Sequence, residues 1–555
     1  MKNQSVKRTA ALVLSGAMAV SMAGCGGAPA SSSASAAGGA ASATASSAGA
    51  AAPAETTLKV YMFGQAEGFE PIAAKFEEET KDTLNIKLDI VWSDSKTHRE
   101  KIPLMMANQE EADLVFDAYW MNLSTMHNQG AYASLNDYFN NPDYPGLQAA
   151  FSSDYLEQVT DTDGNIFAVP FTQAAEDIPV IAYRKDLADK YSITIDSDEN
   201  LEKYFQAVQA DIDAGTLTMT APFGIGGTRG FYWLDHDLYE KRDANIFSID
   251  SSAYGIGMEM ETAVSEDGSK VLGVATLGDP DEAYAAFPAP YNTNTRSDRV
   301  VNKLTKWAQY IEPDAQTEDD PKTNLFFTGK VAAIEGNISS YTDYANAVKS
   351  LGGEVGVYVY NQNMRESKPF VAAPLTAWNF LCVPQQSTKK DASMKFLDWL
   401  FTDSANHDLF EHGIEGTDWE AVGEDEYRKI EGSNYTFPGY EMTWNPNFIR
   451  TNADLPDDVK TIVKYGNDPA TYTTSPIAGF TFDNTKTPEL QTAYAAVSAI
   501  QTEYQLKLML GLTGDAASAQ AMLDEYYQKV ESAGLETIRQ AVNDQLQSYL
   551  DNKKA

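Results

Sequence analysis

Thiols, imidazoles and positive charge are all scarce in this sequence. It carries 2 cysteines and 5 histidines in 555 residues, which leaves no Cys/His spacing for a zinc site and no framework of disulfides. Basic residues number 41 against 79 acidic ones, for a net charge of −38. A nucleic-acid surface needs a basic face, so that class of partner is excluded. Docking on anionic lipid without a covalent anchor is disfavoured for the same reason. No nucleophile elbow, no His-Glu-X-X-His motif and no long-period repeat is present. The apolar stretch "ALVLSGAMAV" near the N-terminus is too short for a lasting membrane span.

That stretch follows Lys2, Lys7 and Arg8 and ends in small residues, the order of a secretory leader over residues 1–24. Met22-Ala23-Gly24-Cys25 resembles a bacterial lipobox. The resemblance implies cleavage before Cys25, diacylation of its thiol, and attachment to the outer face of a cell membrane. Two or more acyl chains hold stably where one is marginal. From Gly26 to Ala54 every residue is Gly, Ala, Ser, Thr or Pro. Such a run buries too little to offset its ordering entropy, so residues 25–56 read as a disordered tether with a reach of ~30 Å.

The remainder is long enough for two lobes with their own cores. It opens with the strand "TLKVYMFG", the helical "FEPIAAKFEEET", the alternating strand "LNIKLDIVW", the helical "HREKIPLMMANQEE" and the strand "ADLVFDAYW". This β-α-β-α-β order predicts a doubly wound lobe with parallel strands. Ligands of such sheets sit beyond the carboxyl ends of the strands. Those ends carry Phe63-Gly64, Trp92-Ser93 and Asp117 to Trp120. Helices are predicted at Glu199 to Asp213, Ser297 to Ile311 and Asp391 to Phe401. Strands are predicted at "KVAAIEG", "EVGVYVYN" and "WNFLCVP", the last making Cys382 a buried residue. From about Pro488 the chain reads as three helices, with Gly511, Gly514 and Gly534 at their stops.

"NIFAVPF…IPVIAYRKDLADKY", "FFTGKVAAIEGN", "FLDWLFTDSANHDLFEHGIEGTDWE" and "AGLETIRQAVNDQLQSYL" together resemble the family 1 extracellular solute-binding proteins of the LipO-like lipoprotein group. Ala168 stands where Gly is usual and Arg184 where Asn is typical. The resemblance runs from about Thr57 to the C-terminus. It implies an α/β, two-lobed periplasmic-binding-protein-like fold of type II with a helical C-terminal extension. Lobe 1 is then expected over 57–165 with 328–385 returning to it, and lobe 2 over 166–327 with 386–555. It also implies a monomer that closes on a sugar or oligosaccharide and delivers it to the permease of an ABC importer, with no cofactor and no metal.

A carbohydrate presents apolar C–H faces and a rim of hydroxyls, so its site needs flat rings beside carboxylates, amides and Arg. Candidates are Phe63, Trp92, Asp117, Trp120, Arg229, Trp233, Trp378 and Asn337 with Glu335 nearby, and Glu176 and Asp177 where the chain crosses lobes. Trp307 and Trp399 fall in helical patterns and read as core; Trp419 reads as local packing. "GIGGTRGFYWLDHD" is Gly-rich but lacks the P-loop Lys-Ser/Thr. "DTDGN" lacks the distal Glu of a calcium loop. The same fold holding a peptide or a polyamine remains open, and a metal cargo would require a His/Asp/Glu cluster. A secreted glycoside hydrolase would need two carboxylates at a set separation.

Overall fold

The computed structural model describes residues 53–172, 178–225, 244–249, 260–312, 323–360, 365, 377–437, 439–468, 471 and 475–553. Strands β1 (Thr56–Phe63), β2 (Ile86–Ser93) and β3 (Leu114–Ala118) alternate with helices Phe69–Thr80 and Ser95–Ala107. The first helix buries Phe69, Ile72 and Phe76, a stripe at three-to-four spacing. The second starts where Asp94 accepts the Thr97 amide and buries His98, Ile102, Met105 and Met106. β1 pairs in parallel with both β2 and β3, as the β-α-β-α-β order predicts.

Further along lie β4 (Val169–Thr172), β5 (Pro179–Arg184), β6 (Ala221–Gly224), β7 (Ile246–Ile249), β8 (Met260–Val264), β9 (Val271–Ala275), β10 (Val331–Asn337), β11 (Val355–Val359) and β12 (Ala377–Cys382). They complete two mixed sheets, ordered β2-β1-β3-β12-β4 and β11-β5-β10-β6, plus a β7-β8-β9 meander. Each large sheet has its own core, one holding Leu58, Phe116, Phe171 and Phe380, the other Ile181, Tyr204, Phe223 and Ala332. The chain is therefore two-lobed.

The expected lobe boundaries need correction. β10 and β11 do not return to the first lobe: both pair antiparallel with β5 and sit in the second sheet. The return falls at β12, which pairs with β3 and β4. Nor does the chain from 386 to about 444 belong to lobe 2, although the rest of the expected 386–555 segment does, from helix Asp457–Asn467 onward. Met394, Phe396, Leu400, Phe410 and Trp444 pack in the first core, because the Lys390–Thr402 helix turns its apolar stripe onto that sheet. A small sheet of β13 (Trp419–Val422), β14 (Glu426–Lys429) and β15 (Thr451–Asn452) follows. Lobe 2 regains the chain at helix Asp457–Asn467, whose Val459 and Val463 cover Ile178, Val180, Ile338 and Val359. The segment predicted as one helix over Ser297 to Ile311 is broken into a helical turn, a π-helix (Arg299–Leu304) and shorter turns. Within it the Thr305 hydroxyl reaches back to the Val300 carbonyl.

Helices Pro488–Met509, Ala516–Ser532 and Leu535–Lys553 close the fold on lobe 2. Their separation depends on Gly511 and Gly534, whose φ values of 61° and 112° lie where other residues are strained. Arg539 pairs with the buried Asp279 at 2.6 Å, and Gln547 accepts the Val271 amide at 2.9 Å. The last helix also reaches the first lobe: Lys553 meets Glu157 at 2.8 Å.

Candidate functional site

One end of the first sheet gathers most of the predicted rings. β1, β2, β3 and β4 finish there at Phe63, Ser93, Ala118 and Thr172, and antiparallel β12 begins there at Ala377. The register sets Met62 beside Trp92, Phe63 beside Ser93, and Ala118 beside Asn379. Phe63, Trp92, Trp120 and Trp378 are all half-buried at this rim. The edge of Trp120 meets Phe63 at 5.3 Å and 78°, and the Arg99 guanidinium lies 5.5 Å from the Trp120 ring. Trp92 packs edge-on against Phe69 and Phe437 at 6.2 and 6.0 Å. Aromatic neighbours hold these rings in place, Phe63 also stacking on Phe116 at 5.8 Å.

Beneath the rings is a polar scaffold. His98, fully buried, bridges the ends of two strands, with Nδ1 2.9 Å from the Ser93 hydroxyl and Nε2 2.8 Å from the Phe116 carbonyl. Burial lowers its pKa, disfavouring the charged ring. Tyr119 donates to the Gln158 carbonyl at 3.0 Å, and Gln158 Oε1 accepts the Ala377 amide at 3.1 Å, tying β12 to the rim. Glu441 is fully buried, and a Cβ at Gly64 would stand 3.7 Å from its Oε1.

Asp117 is the expectation that the geometry corrects. It is 1% exposed. Its Oδ1 accepts the amides of Ala118 and Asn122 at 2.8 and 2.9 Å, and its Oδ2 accepts the Tyr132 hydroxyl. Burial pushes its carboxyl up to about 6 in spite of these donors. Asp117 works inside the turn and is not offered to a solute.

The second sheet has a matching end, where Asn337 pairs with Pro179, Val359 with Val180, and Ile334 with Gly224. Glu335 and Asn337 are half-buried there. The Ile338 amide donates to the Ile178 carbonyl at 2.9 Å, fixing the strand that arrives from lobe 1. The two ends are joined by the chain itself: Thr172 finishes one and Ile178 opens the other, six residue steps that span at most about 20 Å. Tyr360 and Ala377 bracket a second crossing between the same ends. Glu176, Asp177, Arg229, Trp233 and Cys25 lie outside the described residues.

The remaining motif residues are structural. Trp419 is buried and donates to the Gly413 carbonyl at 3.0 Å. Trp307 and Cys382 are core residues. Arg184, which departs from the family pattern, grips Asp186 with two bonds of 2.7 Å, and Asp186 in turn accepts the Glu354 amide. Among the described residues no group of three or more His, Cys, Asp or Glu side chains could hold a metal ion, and no helix is long and apolar enough to cross a membrane. Sequence reasoning missed His98 and Glu441. His98 occupies an ordinary core position of a helical pattern, and Glu441 lies in a stretch without periodicity.

A family profile described as bacterial extracellular solute-binding protein matches residues 71–416, and one described as a domain of unknown function (DUF3502) matches 476–551. A carbohydrate ABC transporter substrate-binding protein of Streptococcus pneumoniae is 22% identical over 90% of this chain and 91% of its own. Among solved structures, an N-glycan transport solute-binding protein from Streptococcus pneumoniae aligns with a TM-score of 0.64 at 19% identity, over 90% of this chain and 100% of the other. It has also been solved in complex with Man5GlcNAc, at a TM-score of 0.62 and 20% identity, again over 90% and 100% of the two chains. An HMO-binding solute-binding protein associated with an ABC transporter in Bifidobacterium longum infantis aligns at 0.59 with 14% identity, over 90% and 99%.

Proposed function

The chain belongs to the bacterial extracellular solute-binding protein family, and from that premise we propose that it captures an oligosaccharide between its two sheet ends and hands it unaltered to an ABC importer. The observation that carries this reading is the ring set Phe63, Trp92, Trp120 and Trp378 at the end of the first sheet from which both crossings depart. Flat, half-buried rings suit the C–H faces of pyranoses, and the amides and carboxylates around the crossings suit their hydroxyls. The Streptococcus pneumoniae and Bifidobacterium relatives, named for glycan cargoes, support the same class of solute.

Capture follows from the topology. Contacts from both ends favour the closed arrangement, so solute shifts the population towards it and the permease reads the closed form. Acylated Cys25 and the Ala/Ser/Gly tether hold the lobes outside the membrane. Glu176, Asp177, Arg229, Trp233 and Asn337 belong to the same proposed site, supplying hydroxyl partners and a further ring.

Calorimetry of the chain lacking residues 1–25 against Man5GlcNAc, Man1GlcNAc, maltose and alginate oligomers tests the function. Binding to at least one, with no product released, is expected. Silence across the panel, or turnover of any member, overturns the reading. A Cys25→Ser form shed into the medium checks the anchor.

A further inference from the structure

The turn that bears Trp120 has no regular element to hold it. It follows the last residue of β3, closes with the Met121 amide on the Ala118 carbonyl at 2.9 Å, and is fastened from below by Asp117. Two routes lead from that carboxylate to the ring. One is the backbone: Oδ1 holds the amides of Ala118 and Asn122, on either side of Tyr119, Trp120 and Met121. The other runs through side chains: Asn122 Nδ2 donates to the Arg99 carbonyl at 3.2 Å, and the Arg99 guanidinium faces the indole at 5.5 Å. Oδ2 is anchored by the Tyr132 hydroxyl, itself buried beside the Cys382 thiol. Three donors converge on an acceptor-only group, which suits a carboxylate.

We propose that Asp117 is the positioning residue of the Trp120–Arg99 pair, acting on solute affinity through the turn and not by touching solute. The proposal rests on the carbohydrate reading only for its affinity arm. Asparagine can keep both Oδ1 bonds and turn its amide towards the Tyr132 hydroxyl, which also accepts. Alanine keeps nothing and takes the acceptor from the buried Ala118 amide and the half-buried Asn122 amide. The conservative and the truncating variants therefore separate.

The test uses the chain lacking residues 1–25. The near-ultraviolet circular dichroism of Trp120 is isolated as the difference between wild type and Trp120→Phe, with no solute present. Asp117→Asn is expected to retain that band, and Asp117→Ala to lose it. With Man5GlcNAc as probe, Asp117→Asn should bind within about twofold of wild type, and Asp117→Ala should weaken binding about tenfold, as removal of a stacking platform does. In a Trp120→Ala background Asp117→Ala should add less than about twofold, the signature of coupled residues. An intact Trp120 band in Asp117→Ala overturns the proposal. So does a tenfold loss in Asp117→Asn with the band unchanged, which would make the carboxylate a direct contact. If Asp117→Ala does not fold, Asp117→Asn alone decides between these outcomes. The spectroscopic arm stands even if no saccharide binds.

Discussion

Two buried aspartates bracket one short strand and do opposite work. Asp113, just before β3, and Asp117, within it, are each 1% exposed. At Asp113 a full charge pair closes the lobe. Lys389 Nζ reaches its Oδ2 at 3.2 Å and also the Thr57 carbonyl at 2.7 Å and Glu111 at 2.6 Å. The Lys59 amide and the Ser387 hydroxyl complete the set at 2.9 and 2.7 Å. The segment after β12 is thereby stitched to the first strand. At Asp117 the direct donors are two amides and a phenol, and Arg99 acts only from a distance. Dipoles arrange a surface there, and the carboxyl stays hard to ionise. Equal burial on one strand thus hides two tasks, and the partners tell them apart: a cation for holding the fold, amides for shaping a turn.

The largest expected effect lies at the charge pair. Lys389→Ala strands a buried carboxylate, and removing one partner of such a pair costs about 3 kcal/mol. Urea unfolding should show that loss while glycan affinity of the folded protein stays within about twofold. Weakened binding at unchanged stability would break the comparison, because it would put Asp113 in the site's service as well.

The next effect is smaller and has a sign. The folded Asp117 titrates at about 6 against an ordinary value of 3.8. Between those values the folded chain holds a proton that the unfolded chain has released, so this group's contribution to stability grows as pH falls from 7 to 4. Asp117→Asn should flatten that part of the stability profile by about 2 kcal/mol relative to wild type, measured by urea unfolding at each pH. A difference of the opposite slope would mean that the donors outweigh burial.

How much of this was legible beforehand follows from the same contrast. The three parallel strands and the C-terminal helices were readable because their apolar residues repeat with the period of the element. Phe63, Trp92 and Trp120 were placed at strand ends by the β-α-β order alone. That Asp117 points inward was not readable: "LVFDA" is buried at every position, and alternation carries no signal in a strand covered on both faces. The lobe assignments of β10 and β11 failed for a related reason, since which strand pairs with β5 depends on distant chain and not on local pattern. The segment from 386 to 444 was given to the wrong lobe because its amphipathic helix names no partner. His98 was silent because it occupies an ordinary core position of a helical pattern, and the Asp113–Lys389 pair because it joins residues far apart in sequence.

The smallest effect concerns an exposed counterpart of the Asp113–Lys389 pair. Lys553, on the last helix of lobe 2, meets Glu157 of lobe 1 at 2.8 Å, with side chains 29% and 37% exposed. Nearby, Gly479 leaves no room for a Cβ against the Glu157 carbonyl, so backbone as well as charge crosses between lobes. An exposed ion pair contributes only about 0.2–1 kcal/mol, and salt screens it. Under the proposed closure its position gives even that amount a use: a bond between the lobes enters their opening equilibrium, whereas one inside a lobe does not. Lys553→Ala should leave the urea midpoint nearly unchanged and shift glycan affinity by less than about fivefold, the range that such a pair can supply. The shift should vanish in a Glu157→Ala background and shrink in high salt. An affinity change that survives both treatments would assign the effect to the helix end itself, and the pair would then be a bystander.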